Sequence, residues 1–188
     1  MSGADLPPSG TAVAEQFAAW AAALDTQAIP GAIREKAVQS LLDVAGLCLA
    51  ARDLDYVQAV RASTESGGVT AIGHASALDM AGAALVNGTA AHGEDYDDTF
   101  EGTPVHPGAV IIPTALAAAE GRSRAGDDVL AGICVGTELL CRLAVVAPTA
   151  VHRAGFHPTA VLGTFGATAT AAATLGLDPV QTANALGI

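Results

Sequence analysis

Residues 158–175 carry no charged side chain: Pro-Thr-Ala-Val-Leu-Gly-Thr-Phe-Gly-Ala-Thr-Ala-Thr-Ala-Ala-Ala-Thr-Leu. Proline opens the run and Gly176 closes it, the asymmetry helices favour at their two ends. Side chains this small let a neighbouring helix come close. The run therefore predicts a buried helix packed against other helices. The uncharged stretch from Ala154 to Leu177 is long enough to cross a bilayer. However, Ala, Gly and Thr outnumber Leu, Ile and Phe in it, and it contains a His-Pro. A core helix is the reading, with no membrane association expected.

Helical periodicity recurs along almost the whole chain. It predicts helices over 12–24, over 30–52 with Pro30 at the first helical position, and over 54–64. Gly67-Gly68 breaks the pattern, and Val69–Ile72 is the only segment that suits a short extended piece. Ser76-Ala77-Leu78-Asp79 resembles a capping box opening a helix through His92. Further helices are predicted over 107–120 with Gly121 as C-cap, from Asp127-Asp128 to Val146 with Pro148 closing it, over 158–175, and from the Asp178-Pro179-Val180-Gln181 cap onward. With no convincing strand pattern, the fold class is all-α, a helical bundle. Residues 1–10, rich in Ser, Gly and Pro, read as a flexible leader, and 11–188 as one helical domain. The apolar ending Asn184-Ala-Leu-Gly-Ile188 suggests a further segment or a partner chain beside it.

The balance of residues narrows the partners. Hydrophobic residues make up 51% and charged residues 14%, enough to build a core. Eight Lys and Arg against 19 Asp and Glu give a net charge of −11. That argues against nucleic acid and against anionic membranes. An acidic ligand would have to be held by local cations or exposed N–H groups. Cys48, Cys134 and Cys141 match no disulfide framework or zinc motif. They fit a reduced, cytoplasmic protein.

One phrase occurs twice, as His106-Pro107-Gly108-Ala109-Val110 and His157-Pro158-Thr159-Ala160-Val161. Proline is tolerated at the first helical position and pushes the preceding residue out of the helix. Each histidine is therefore expected at an N-cap, near unpaired N–H groups and the positive end of a helix dipole. Such a position suits an anion and keeps an imidazole neutral near pH 7.

Between His92 and His106 lies Gly-Glu94-Asp95-Tyr96-Asp97-Asp98-Thr99. Read without context it is a solvated acidic loop. Its oxygens would also suit a hard divalent cation, but no second helix supplies matching ligands, so no metal is expected. The third reading is acid–base chemistry, with Asp95 and Thr99 folded beside His106. His92 ends a helix, where an imidazole offsets the dipole, and lies close enough to bear on the site. Arg153 is one of few cations nearby and suits a carboxylate.

Taken together, Asn87-Gly88-Thr89-Ala90-Ala91-His92, Asp95-Tyr96-Asp97-Asp98-Thr99, His106-Pro107 and Gly155-Phe156-His157-Pro158-Thr159 resemble the MmgE/PrpD family. That family includes 2-methylcitrate dehydratase, cis-aconitate decarboxylase and iminodisuccinate epimerase. The resemblance implies a large all-helical domain, of which this chain is the N-terminal part, accompanied by a smaller α+β domain in a homodimer. It implies no metal or organic cofactor. The implied chemistry moves a proton next to a carboxylate of a small di- or tricarboxylate, with loss of water, loss of CO₂ or inversion. Carried over by position, His106 and His157 would be the acid–base residues, Asp95 would orient or share a proton, and Thr99 would hydrogen-bond the substrate. His92 and Arg153 are added as substrate-binding residues.

Family members are more than twice this long, and their lysines lie further along. Here the single lysine, Lys36, falls in a region that does not match them. Either a second polypeptide completes the site, or the chain is a fragment, or the chemistry has diverged; a homo-oligomer or that second polypeptide is the partner expected. The function expected is thus a cofactor-independent lyase of 2-methylcitrate dehydratase-like type. The alternatives are a subunit of a split enzyme acting on a specialised metabolite as cyclase or isomerase, and a non-catalytic binding or scaffold domain.

Overall fold

The computed structural model describes residues 10–188. Apart from Gly10, the leader expected at 1–10 lies outside the described residues. The chain folds as α1 (Val13–Ala22), a 3₁₀ turn (Thr26–Ala28), α2 (Gly31–Ala51), α3 (Asp55–Ala62), β1 (Ser66–Val69), α4 (Met80–His92), α5 (Pro107–Gly121), α6 (Gly126–Val146), α7 (Ala150–Arg153), α8 (Pro158–Leu175) and α9 (Pro179–Leu186). The all-α expectation is met.

Several boundaries differ from the sequence reading, each for a local reason. Pro30 is the N-cap of α2 rather than its first helical residue. Ser76 does not open α4. Leu78 forms antiparallel bridges with Ser66 and Val69, which keeps the backbone extended up to Asp79. Asp79 then caps the helix, its carboxylate accepting the Gly82 N–H. The extended piece β1 accordingly lies at 66–69 rather than 69–72. Gly121 stays inside α5, and the chain reverses two residues later through Ser123, whose φ of 50° is left-handed. The short helix α7 has no periodicity to announce it. At α9 the expected capping box is present, Asp178 and Gln181 each bonding the other's backbone N–H.

The main core joins α2, α4, α5 and α6. Val44 and Cys48 come from α2, Val86 and Ala90 from α4, Ile111 and Ile112 from α5, and Ile133 and Leu140 from α6. Helix α8 packs across α5 and α6 as a core helix. Among the described residues, α6 is the helix that is long and apolar enough, by length and composition, to cross a membrane; here it buries Val135, Leu140 and Ala144 within the bundle.

Two close approaches set the geometry. At Gly136 of α6, a Cβ would overlap the Thr170 hydroxyl of α8 and lie 2.9 Å from the Gly166 carbonyl oxygen. At Gly88 of α4, a Cβ would lie 2.9 Å from the Ala109 carbonyl oxygen of α5. Next to Gly88, the buried Asn87 stitches α4 to the preceding loop. Its Oδ1 accepts the Ile72 N–H at 2.8 Å and its Nδ2 donates to the Thr70 carbonyl at 3.1 Å. These contacts pull the C-terminus of α4 and the N-termini of α5 and α8 to one end of the bundle.

Candidate active site

Each of those helix ends carries a histidine. His92 is the last residue of α4, His106 is the N-cap of α5 and His157 the N-cap of α8, with Pro107 and Pro158 opening the two helices. The N-cap expectation therefore holds for both His-Pro phrases. The ring centroids of His92 and His106 are 4.7 Å apart, those of His92 and His157 5.4 Å, and those of His106 and His157 6.3 Å.

The acidic loop turns sharply to serve this cluster. Asp95 adopts φ of 57°, a left-handed conformation that aspartate tolerates better than most residues. Its N–H donates to the His92 carbonyl at 3.0 Å. The Asp95 carboxylate, largely exposed, comes within 3.7 Å of His106 Nε2. Two residues on, the Asp97 carboxylate is fully buried, with its oxygens 3.0 and 3.1 Å from His92 Nδ1 and one of them 3.2 Å from His106 Nδ1. The contact to His92 is a hydrogen bond. The contact to His106 has ion-pair distance only, and the buried His106 Nδ1 has no aligned hydrogen-bond partner among the described residues.

Asp98 does different work. Its carboxylate accepts the Gly108 N–H at 2.7 Å, so one of the N–H groups expected to attract an anion at the start of α5 is already taken by the chain itself. Burial raises the Asp98 pKa; the Gly108 N–H opposes this, and the nearby Asp97 and Asp43 add to it. The His106 N–H donates to the buried Thr159 hydroxyl of α8 at 3.0 Å, which ties the two His-Pro phrases together. His157 is held below the ordinary imidazole range, first by desolvation and then by the neighbouring His92 and His106, with Asp95 pulling the other way. The direction is the one expected for His157, but burial and the neighbouring rings cause it rather than the helix N-terminus.

A sequence model of the MmgE/PrpD N-terminal domain matches residues 15–188. The chain belongs to the MmgE/PrpD family. It is 31% identical to cis-aconitate decarboxylase of Aspergillus terreus over 94% of this chain and 38% of that enzyme. It is 29% identical to the cis-aconitate decarboxylase-like protein oryM of Aspergillus oryzae over 100% of this chain and 41% of that protein. The human cis-aconitate decarboxylase is 39% identical over 56% of this chain and 23% of the enzyme. The chain thus spans about two fifths of the length of the Aspergillus relatives.

In this MmgE/PrpD domain the cluster opens onto a cavity of about 590 Å³, walled by Leu85, Gly88, Ala109, Val110 and Ala160, with His92 and His157 on its lining. Among the described residues, His92 and His157 are the only titratable side chains on its lining. Of the remaining sequence-derived residues, Thr99 is exposed, and its hydroxyl makes no hydrogen bond among the described residues. Arg153 is exposed near the C-terminal end of α7, four residues before His157, with no ion-pair partner among the described residues. Lys36 lies on α2 and hydrogen-bonds Gln39.

Sequence reasoning did not single out Asp97, Asp98 or Thr159. The alternation within Asp95-Tyr96-Asp97-Asp98 was a usable signal. After a tight turn one carboxylate must face inward, and an inward carboxylate needs cationic or N–H partners. His92, Asp95, Asp97 and His106 also each offer a donor atom, all within 4.8 Å of one another. Two imidazoles with two carboxylates suit a transition-metal ion better than magnesium.

Proposed function

We propose that this domain provides the acid–base face of a lyase that moves a proton next to a carboxylate of a small polycarboxylic acid, in a decarboxylation or a dehydration. The observation that carries this is a pair of imidazoles, His92 and His157, on one cavity lining, with the His106 ring packed behind them at centroid distances of 4.7 and 6.3 Å and the His157 pKa lowered by burial. A neutral imidazole accepts a proton near pH 7 and an imidazolium delivers one. In a dehydration, one imidazole removes the proton beside the carboxylate while a protonated partner assists the departing hydroxyl. In a decarboxylation, CO₂ leaves and a protonated imidazole delivers the proton to the carbon left behind. In this reading the exposed Arg153 would attract a carboxylate and the exposed Thr99 would donate a hydrogen bond to the substrate. Asp95, 3.7 Å from His106 Nε2, would orient that ring or share a proton with it. The chemistry requires no cofactor.

The cationic groups that a polycarboxylate needs exceed what this chain offers, so a further segment, a second polypeptide or a second copy completes the site. The apolar cavity wall favours a second reading, in which a split enzyme of this family acts on a specialised acid bearing an uncharged chain. The experiment assembles the domain with the polypeptide that supplies the rest of the family fold and assays cis-aconitate and 2-methylcitrate. His106→Ala and His157→Ala should each lower kcat by about 10²–10⁴-fold while the helical circular dichroism is retained. Unchanged kcat in both variants would sink the reading.

A further inference from the structure

Asp97 and His92 remain without a stated role in that scheme. The Asp97 carboxylate has no solvent exposure, and a buried carboxylate is costly unless it is hydrogen-bonded. Its hydrogen bond is to His92 Nδ1, reached by both carboxylate oxygens. A carboxylate accepts and does not donate, so this bond places the His92 proton on Nδ1. The other nitrogen, Nε2, then carries the lone pair. It has no hydrogen-bond partner among the described residues, while the ring lies on the cavity lining edge-on to His157. A histidine that merely offset the dipole of α4 would need neither a buried carboxylate behind it nor a free nitrogen in front of it.

We infer that His92 is an acid–base residue acting through Nε2, and that Asp97 is the positioning residue that fixes its tautomer and orientation. This rests on the function proposed above and moves His92 from substrate binding into proton transfer. The unit has a donor–orienter logic: a carboxylate on one ring nitrogen makes the opposite nitrogen the reactive one. Because Asp97 also faces His106 Nδ1 at 3.2 Å, one carboxylate bears on both rings. Removing it should disturb two imidazoles at once.

The tautomer can be read on the chain alone. Long-range proton–nitrogen correlation of ¹⁵N-histidine-labelled protein should show His92 protonated at Nδ1 and bare at Nε2. In Asp97→Asn, where the amide can present its NH₂ to the ring, the Nε2-protonated form should grow. In the assembled enzyme, His92→Gln and Asp97→Asn should lower kcat by about 10²-fold or more with KM little changed. If Nε2 carries the proton in the unaltered protein, the inference is overturned whatever the variants do. If His92→Gln keeps kcat within about threefold while His106→Ala does not, the inference fails and the proposed function stands. If neither variant loses activity, both fail. Should His92→Gln not fold, the wild-type tautomer together with kcat of Asp97→Asn decides.

Discussion

The crossing of α6 and α8 makes the sharpest prediction, because it fixes the helix that carries His157 and Thr159. Replace Gly136 by alanine. In an open helix the change would stabilise by about 1 kcal/mol through propensity. Here the new Cβ would overlap the Thr170 hydroxyl and approach the Gly166 carbonyl oxygen to 2.9 Å and Ile111 Cδ1 to 3.0 Å. The backbone oxygen cannot swing aside, so the helices must part, and overpacking of this kind costs about 1–3 kcal/mol. The Thr170 hydroxyl also donates to that carbonyl at 2.8 Å. If it is displaced, a buried polar group loses its partner, at a further cost of about 1–3 kcal/mol. With the propensity gain of about 1 kcal/mol subtracted, the variant should lose about 1–5 kcal/mol, with about 3 kcal/mol at the middle of the range. For a chain of this size the middle value lowers Tm by about 6–12 °C. Gly46, on an open face of α2 where an added Cβ would meet nothing within 4 Å, is the control. Gly46→Ala should raise Tm by about 1–4 °C. Thermal melts followed by circular dichroism measure both. A Gly136→Ala protein that melts at or above the unaltered chain would refute a glycine-mediated crossing.

Three further outcomes follow from the same geometry. Thr174 is fully buried on α8 with a hydroxyl that lacks a partner, so Thr174→Val should be neutral or stabilising by about 1 kcal/mol in urea unfolding. The His157 imidazole should titrate below 6.5 by its Cε1–H shift. Its folded form then binds fewer protons than the unfolded chain near that pH. Its contribution to stability is therefore present above 6.5 and lost as pH falls through the folded value, and a midpoint above 6.5 would contradict the site as drawn. Chelators should leave the assembled enzyme active, whereas added zinc should inhibit it by occupying the His92, Asp97 and His106 donors, and Asp97→Asn should weaken that inhibition.

What was legible in the sequence was whatever local chain chemistry fixes. Proline at a helix start places His106 and His157 at N-caps wherever those helices go, and Asp178 with Gln181 builds its cap from adjacent residues. What was not legible depends on contacts distant in sequence. Ser76 looks like a cap until Leu78 is bridged to Ser66 and Val69, an event a local reading of Ser76–Asp79 does not contain. In the same way, Asp95 and Asp97 are equivalent on paper. Only the left-handed turn at Asp95 sends one carboxylate outward and buries the other beneath two imidazoles.

The repeated His-Pro phrase shows how identical local chemistry acquires divided roles. At α5 the helix N-terminus is served from within: Asp98 takes the Gly108 N–H, Thr159 accepts the His106 N–H, and the His106 side chain is only 13% exposed. No free anion can approach that end without displacing Asp98. At α8 no side chain caps the helix, and His157 stands exposed at the cavity. The N–H groups and dipole that the sequence offers twice are thus available to an outside carboxylate once, at His157, with Arg153 on the adjoining α7. On the function proposed, that asymmetry would give a carboxylate a preferred place to sit in a chain of net charge −11. The acidic end of the substrate would then lie toward α8, beside the His92, His106 and His157 rings that would carry the proton transfer. Asp98→Asn should then weaken the α5 cap and lower stability without changing carboxylate affinity, whereas Arg153→Ala should weaken carboxylate binding and leave Tm unchanged. If the two variants exchanged those effects, the assignment of the open helix end to α8 would be wrong.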